Sequence, residues 1–237
     1  MSARKFDPVA QWSSMLENAQ SLIEAREAVA SMSVLEELIS FVDRTWGPDN
    51  VRLIRPLLLM AAAHFGEHEP LDPNNGPEVE CLRRALAIAR LRLGRDDVEV
   101  AALAGKVGSA LVVAGSIDEG CALMSECIEI ASRLGKLDNL SRYFGLIGHA
   151  RMAQGRPQDA LQFFEQEVSS CERYFRPSPV VAIARFNLGQ CLRQLDRPKD
   201  ARVELETAMA IAKANRAHPA FIVAVREELA RIRRGDG

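Results

Sequence analysis

A repeat of about forty residues is the feature of this sequence that most restricts its fold. Gly108, Gly148 and Gly189 are spaced by forty and forty-one residues, and an apolar residue precedes each of them. Seven positions after each glycine stands a residue suited to a turn, namely Gly115, Gly155 and Asp196. A self-similar period of this length, with two helices in each unit, is typical of an all-α solenoid.

The clearest copy of the repeat is the segment Pro179–Arg216. Apolar residues recur in it at the three- and four-residue spacing of a helix, first as far as Leu195 and again from Ala201. The interruption contains Pro198, and proline is tolerated in the first turn of a helix. The segment therefore predicts two antiparallel helices, which need neighbouring helices to cover their apolar faces.

The stretch NLGQCLRQLDRPKDARVELETAMAIA resembles the tetratricopeptide repeat family, in the long form found in kinesin light chains. The small residues of the family's pattern are carried there by Gly189, Ala201 and Ala208. The upstream copies depart from the pattern, because Glu167 stands where alanine is usual and Arg151 where a large apolar residue is usual. The resemblance covers about residues 47–234 and implies a right-handed α-solenoid of antiparallel helix pairs, with about eleven helices.

The repeat register predicts a single solenoid domain for the whole chain. Its parts are a degenerate N-terminal helix pair (1–46), four repeats (47–216) and a C-terminal capping helix (217–237). The first helix is expected to run from Pro8 to about Ala30. The register slips by about six residues near 66–76, where the sequence GEHEPLDPNNG predicts a loop insertion.

The resemblance implies a non-catalytic scaffold or adaptor that binds a protein or peptide, and no cofactor. In the family, the first helix of each pair lines a concave groove. Carried over onto this chain, the groove positions are Arg55, Lys106, Ser109, Arg142, His149, Asn187, Gln190, Arg193 and Gln194. Arginine matches carboxylates with two parallel donors, so the expected partner has an acidic segment or a C-terminal carboxylate. The alternative is a regulatory sensor that binds a signalling peptide or a small molecule.

Composition excludes several other classes of function. A net charge of −2 over 237 residues does not indicate a nucleic-acid-binding protein, which normally has an excess of basic residues. No apolar run reaches the roughly 18 residues of a membrane span, and the first residues lack the apolar core of a secretory signal. The five cysteines are scattered without C-x-x-C spacing, which indicates reduced thiols in a cytoplasmic protein.

Two local motifs could indicate a metal site or phosphate-binding loops, but their position in the repeat makes these interpretations less favourable. His64, Glu67 and His68 match the H-x-x-E-H string of inverted zinc peptidases, so a metal-dependent hydrolase is a remote alternative. No convincing third ligand follows, and we expect no metal there. The strings Gly105-x-x-Gly108 and Gly145-x-x-Gly148 lie inside predicted helices, and they indicate close helix packing rather than phosphate loops.

Overall fold

The computed structural model describes residues 6–67, 76–135, 140–175 and 177–235, and these residues form α-helices joined by short turns. The helices are α1 (Pro8–Glu24), α2 (Ala28–Trp46), α3 (Ile54–Glu67), α4 (Pro77–Leu93), α5 (Val98–Val113), α6 (Ile117–Arg133), α7 (Leu140–Ala153), α8 (Pro157–Tyr174), α9 (Pro179–Gln194), α10 (Pro198–Ala214) and α11 (Pro219–Arg234). A 3-10 turn, Val51–Leu53, leads into α3. Within the described ranges, no helix is both long enough and apolar enough to cross a bilayer.

Proline and aspartate set where many of these helices begin. Proline occupies the first position of α1, α4, α8, α9, α10 and α11, where its missing N–H group costs no hydrogen bond. Asp7 caps α1 by accepting hydrogen bonds from the N–H groups of Val9 and Ala10, at 3.0 and 3.3 Å. Asp97 caps α5 in the same way, through the N–H group of Glu99 at 2.7 Å.

The first helix ends earlier than the sequence pattern predicted, at Glu24 rather than near Ala30. The reason is a tight turn at Arg26, whose φ of 62° lies in the left-handed region. The N–H group of Glu27 donates to the carbonyl of Leu22, five residues back, which is the Schellman arrangement that closes a helix. Arginine is not a typical residue for this conformation, so the apolar pattern alone did not reveal the break.

The same turn closes the first helix of three later pairs. The residues with positive φ are Gly115 (92°), Gly155 (71°) and Asp196 (55°). In each case the next N–H group donates five residues back, to the carbonyls of Leu111, Arg151 and Leu192. These are the turn positions that the forty-residue register marked, so the register is confirmed at the level of individual turns.

The chain divides into two compact units, Met1–Ile130 and Ala131–Gly237. In the first unit, apolar faces of α3, α4 and α5 share one core, in which Val79, Val100 and Leu111 are completely buried. Two arginines of α4 pair with glutamates of α6 that lie thirty-six residues further along the chain. These ion pairs are Arg83–Glu119, at 2.5 Å, and Arg90–Glu126.

In the second unit, each helix pair closes around a glycine. A Cβ atom at Gly148 of α7 would lie 2.6 Å from a ring carbon of Phe164 of α8. A Cβ atom at Gly189 of α9 would lie 2.7 Å from the Cγ atom of Leu205 of α10. Such distances are shorter than carbon–carbon contacts allow, so the glycines permit the close approach that the repeat pattern predicted.

The last helix, α11, is held to α9 through a buried carboxylate. Glu228 is 2% exposed, and it accepts hydrogen bonds from the guanidinium groups of Arg193 of α9 and Arg231 of α11. Val225 of α11 is completely buried, and the rings of Phe186 and Phe221 meet edge to face between α9 and α11 at 5.5 Å. The helix therefore packs as the first helix of a further, incomplete pair.

Candidate functional site

The first helices of the second unit, α7 and α9, pack against each other and carry most of the predicted groove residues. We call the surface defined by these residues the α7–α9 face. Its predicted members are Arg142, His149, Asn187, Gln190, Arg193 and Gln194.

On α7, the two predicted residues are exposed and lie two helical turns apart. Arg142 presents its guanidinium group to solvent. The ring of His149 meets the ring of Phe164 edge to face, at 5.2 Å between centroids. Although the residue is exposed, its ring is partly desolvated where it packs against Phe164, which lowers the pKa of His149 from its usual value near 6.5, so the ring is neutral at pH 7. It can therefore donate and accept hydrogen bonds but adds no charge.

On α9, the exposed residues are both polar and apolar. Gln194 is exposed and Gln190 is half-buried. Val180 and Ile183, nearer the start of the helix, are 45% and 46% exposed, although both are large and apolar. A surface of this kind, with amide groups next to aliphatic side chains, can hold the backbone and the side chains of an extended peptide.

Asn187 lies deeper than its neighbours, with 6% of its surface exposed. Its side-chain nitrogen lies 3.3 and 3.5 Å from the two carboxyl oxygens of Glu167 of α8, and donates to them. Glu167 is itself 9% exposed, and burial raises its pKa to about 7, although the bond from Asn187 acts in the opposite direction. Near neutral pH the carboxyl group is thus divided between its charged and neutral forms.

Gly145 of α7 makes room for this carboxyl group. A Cβ atom at Gly145 would lie 2.6 Å from the Oε1 atom of Glu167. One turn earlier on α7, Ser141 donates a hydrogen bond to Cys171 of α8, and burial raises the pKa of that thiol. The sequence interpretation of Gly145 as a packing residue is therefore correct, but what packs against it is a carboxyl group rather than an apolar side chain.

Arg193 is the one predicted arginine of the face that already has a partner, since its guanidinium group is bound to Glu228 of α11. The side chain of Arg193 is 15% exposed, far less than an arginine that is free to reach a ligand. Among the predicted cations of the α7–α9 face, Arg142 is the exposed one.

The other three predicted residues lie in the first unit. Arg55 of α3 is exposed, and its guanidinium group donates to the side-chain oxygen of Gln20 of α1. Lys106 is exposed and Ser109 is half-buried on α5, three residues apart and thus on the same side of the helix.

Two glutamates, Glu167 and Glu228, are the residues of the site whose role the sequence did not reveal. The repeat pattern marked Glu167 as an unusual residue at a position that normally holds alanine, and this signal was correct. The ion pair of Glu228 with Arg193 spans thirty-five residues, and a charged residue in a terminal helix gives no sign that it is buried.

The proposed peptidase motif falls partly outside the described residues, because His68 and the side chain of Glu67 are not among them. His64 is half-buried near the end of α3. In the ranges that the structure describes, no group of three or more histidine, cysteine, aspartate or glutamate side chains is placed to hold a metal ion.

The fold and the site define a class of protein: an all-α repeat protein built from antiparallel helix pairs, with polar and cationic side chains on its first helices. A family model described as Tetratricopeptide repeat matches residues 141–214. The prediction of this repeat is confirmed for that part of the chain, and the α-solenoid fold class is confirmed by structures of kinesin-light-chain-like repeats.

Solved structures with the same fold cover most of the chain. A kinesin light chain from Podosopora anserina with nearly identical TPR-like repeats has 19% identity and a TM-score of 0.71, covering 89% of this chain and 99% of that one. BtubC (BKLC) from P. vanneervenii has 18% identity and a TM-score of 0.64, covering 97% of this chain and 83% of that one. A signal transduction ATPase with a tetratricopeptide repeat sensor from Pyrococcus horikoshii has 12% identity and a TM-score of 0.76, covering 99% of this chain and 35% of that one. A search of curated proteins finds no match.

Proposed function

We propose that this protein is a non-catalytic scaffold that binds an extended segment of a partner protein on the first helices of its repeats. The tetratricopeptide repeat fold is, in general, that of a protein-interaction scaffold. The observation that supports peptide binding is the α7–α9 face, where two packed helices expose Arg142 and His149 on α7, and Gln194 together with large aliphatic residues on α9. Large apolar side chains left exposed beside polar groups are a recognised feature of binding surfaces.

The partner segment that fits the face best has an acidic side chain or a C-terminal carboxylate. Arg142 offers an exposed guanidinium group, which can bind a carboxylate through two parallel hydrogen bonds. Lys106 offers an exposed ammonium group on α5 of the first unit, which can also bind a carboxylate. Arg193 supports the face indirectly, because it holds α11 against α9 through Glu228.

The cysteines support a reducing, cytoplasmic setting for this function. All five are free thiols, and Cys121, Cys127, Cys171 and Cys191 are buried. Buried thiols of this kind behave as small apolar residues of the core and need no oxidising compartment.

Charge reversal at Arg142 tests the proposal. Random twelve-residue peptides displayed on phage are selected on the whole chain, and the best are synthesised and titrated by fluorescence anisotropy. We expect Arg142→Glu to raise Kd at least roughly tenfold, because it replaces a charge-assisted hydrogen bond by like-charge repulsion. We also expect binding to the natural chain to weaken between 50 and 500 mM salt, because exposed charges are screened over about 8 Å at physiological ionic strength.

The matched control is Arg233→Glu, an equal change of charge at an exposed position of α11. It should leave Kd within about twofold, and neither variant should change the far-ultraviolet circular dichroism of the chain. Peptides that bind equally well to natural protein and to Arg142→Glu would show that the α7–α9 face is not the binding surface.

A further inference from the structure

We propose that Glu167 and Asn187 form a specificity subsite of the α7–α9 face, which takes a lysine or arginine side chain of the bound segment. This inference rests on the proposed function and adds a second, opposite charge requirement to it. The partner segment would then carry a basic residue close to the acidic one that Arg142 binds.

The first observation is that Glu167 is buried without a cation. Its carboxyl group accepts two long hydrogen bonds from Asn187, and no ion pair to it is found among the residues that the structure describes. Glu228, the most deeply buried carboxylate among the described residues, is by contrast neutralised by two arginines. A buried carboxylate is stabilised in a protein when a cation faces it, and none of the described residues pairs a cation with Glu167.

The second observation is the shape of α7 above the carboxyl group. Gly145 has no side chain with which to cover Glu167, and an alanine there would already collide with the Oε1 atom. Arg142 and His149, three residues before and four residues after this glycine, are exposed on the same side of α7. The carboxyl group therefore packs directly against the backbone of α7 at Gly145, in the stretch of α7 between Arg142 and His149.

The third observation is that Glu167 stands at a position that stability alone would fill with a small apolar residue. The repeat pattern places alanine there, as at Ala208 in the following repeat, which is completely buried. A strongly perturbed titratable group at a binding surface is a functional-site candidate. The pKa of Glu167, raised to about 7, is what we expect of a carboxyl group that is buried without a counter-ion.

The charged and titratable groups around the carboxyl group do not supply this counter-ion. Cys171 of α8 is close enough for the charge of Glu167 to raise its pKa, and the neighbouring turns and helices carry Arg142 and His149 of α7, Glu172 of α8 and Arg185 of α9. Arg142 and His149 are exposed, and His149 is neutral at pH 7 because partial desolvation of its ring lowers its pKa. Arg185 is already bound to Glu172 and to Glu204 of α10.

The spacing along α7 sets the pattern expected in the partner. Arg142 and Gly145 are separated by about 4.5 Å along the helix axis. Neighbouring residues of an extended peptide are about 3.3 Å apart, and alternate residues about 6.6 Å. The basic residue of the segment should therefore lie one or two positions from the acidic residue.

The test compares peptide selection on the natural chain and on Glu167→Gln, a variant that keeps the shape and the bond with Asn187 but removes the charge. Peptides selected on the natural chain should share a lysine or arginine one or two positions from an acidic residue, and this basic preference should vanish with Glu167→Gln. For one synthetic peptide of this kind, replacing its lysine by norleucine should raise Kd at least roughly tenfold on the natural chain and less than twofold on the variant.

Proton release gives a second measurement that a purely structural role would not change. Binding of a cation should lower the pKa of Glu167, so about half a proton should be released at pH 7. Calorimetry of the lysine peptide in phosphate and in Tris buffer measures this release, which should be absent in Glu167→Gln. The control is Glu165→Gln, an exposed glutamate of the same helix, which should behave as the natural chain does.

The outcomes separate the two proposals. Selected peptides that depend on Arg142 but show no basic preference and no proton release would overturn the subsite and leave the proposed function in place. Failure to enrich any peptide would overturn both. A basic preference that persists in Glu167→Gln would also overturn the subsite, since another group would then bind the cation.

Discussion

Glu167 has opposite consequences for folding and for the binding that we propose. Because burial raises its pKa to about 7, the folded chain holds a proton that the unfolded chain releases above about pH 4.5. Below pH 4.5 the group is neutral in both states and has no effect on stability. As the pH rises to 7, the folded state loses stability relative to the unfolded state, and above pH 7 this loss is constant.

We therefore expect Glu167→Gln to stabilise the protein, and more so at high pH. The gain in the free energy of unfolding should be close to zero at pH 4.5 and reach about 3 kcal/mol at pH 8. Urea unfolding followed by circular dichroism at several pH values measures it, with Glu165→Gln as the control at an exposed site. An equal gain at pH 4.5 and pH 8 would show that the carboxyl group does not titrate between them.

Gly189 permits the contact between α9 and α10, and a larger residue should disrupt it. Leucine at this position would place its Cβ atom 2.7 Å from the Cγ atom of Leu205, so the two helices would have to separate. We expect Gly189→Leu to lower the free energy of unfolding by roughly 1–3 kcal/mol. Val203→Leu, an exposed change on α10, should alter it by less than about 0.5 kcal/mol, and a similar effect of the two variants would contradict the packing described here.

At the scale of elements, one backbone turn recurs at the end of successive first helices. It needs a residue in the left-handed region, which glycine adopts readily and other residues adopt with strain. Gly155 has a φ of 71°, and a Cβ atom there would meet no atom within 4 Å. Any cost of a substitution at Gly155 therefore comes from the backbone conformation and not from a collision.

We expect Gly155→Ala to destabilise the chain by about 1 kcal/mol. The reciprocal variant, Asp196→Gly, relieves the same conformation in the next repeat, where φ is 55°, and should stabilise the chain by up to about 1 kcal/mol. Thermal unfolding measures both. If Gly155→Ala leaves the melting temperature unchanged, the left-handed turn is not needed to connect α7 and α8.

The helices and turns could be predicted from the sequence because they depend on local rules. Proline at the first helical position, and the seven-residue interval between Gly148 and Gly155, are visible in the chain itself. The break at Arg26 was missed because no typical residue marks it. The partners of Glu167 and Glu228 could not be predicted either, since they lie twenty and thirty-five residues away and depend on how the helices are rotated. The same reason explains why the sequence predicted exposure for both Arg142 and Arg193, although only Arg142 is exposed.

For the whole molecule, the two tryptophans provide a way to observe the first unit by itself. Trp12 and Trp46 both lie in the unit Met1–Ile130, so their fluorescence reports that unit, whereas circular dichroism reports all helices. In repeat proteins, stability is a sum over repeats and their nearest neighbours, so a local change acts mainly where it is made. Different probes then reveal unfolding steps that a single probe would merge.

We expect Gly189→Leu, in the second unit, to lower the urea midpoint seen by circular dichroism more than the midpoint seen by fluorescence. Gly108→Leu, in the first unit, should lower the fluorescence midpoint at least as much as the circular-dichroism midpoint of the same variant. A Cβ atom at Gly108 would lie 2.6 Å from the carbonyl oxygen of Gly120, so the collision lies in the unit that contains the tryptophans. Coincident midpoints in both variants would show that the chain unfolds as one cooperative unit.

The ion pair between Arg193 of α9 and Glu228 of α11 has a consequence for cleavage of the chain between α10 and α11. Proteolysis in the turn at Asn215–Ala217 would remove Glu228 and leave the guanidinium group of Arg193 without its counter-ion. In the truncated chain, α9 would then present the guanidinium group of Arg193 next to Gln194, as a second exposed cation on the surface that carries Arg142. If the partner segment is acidic, as we propose, a fragment ending there would bind it more tightly than the intact chain does.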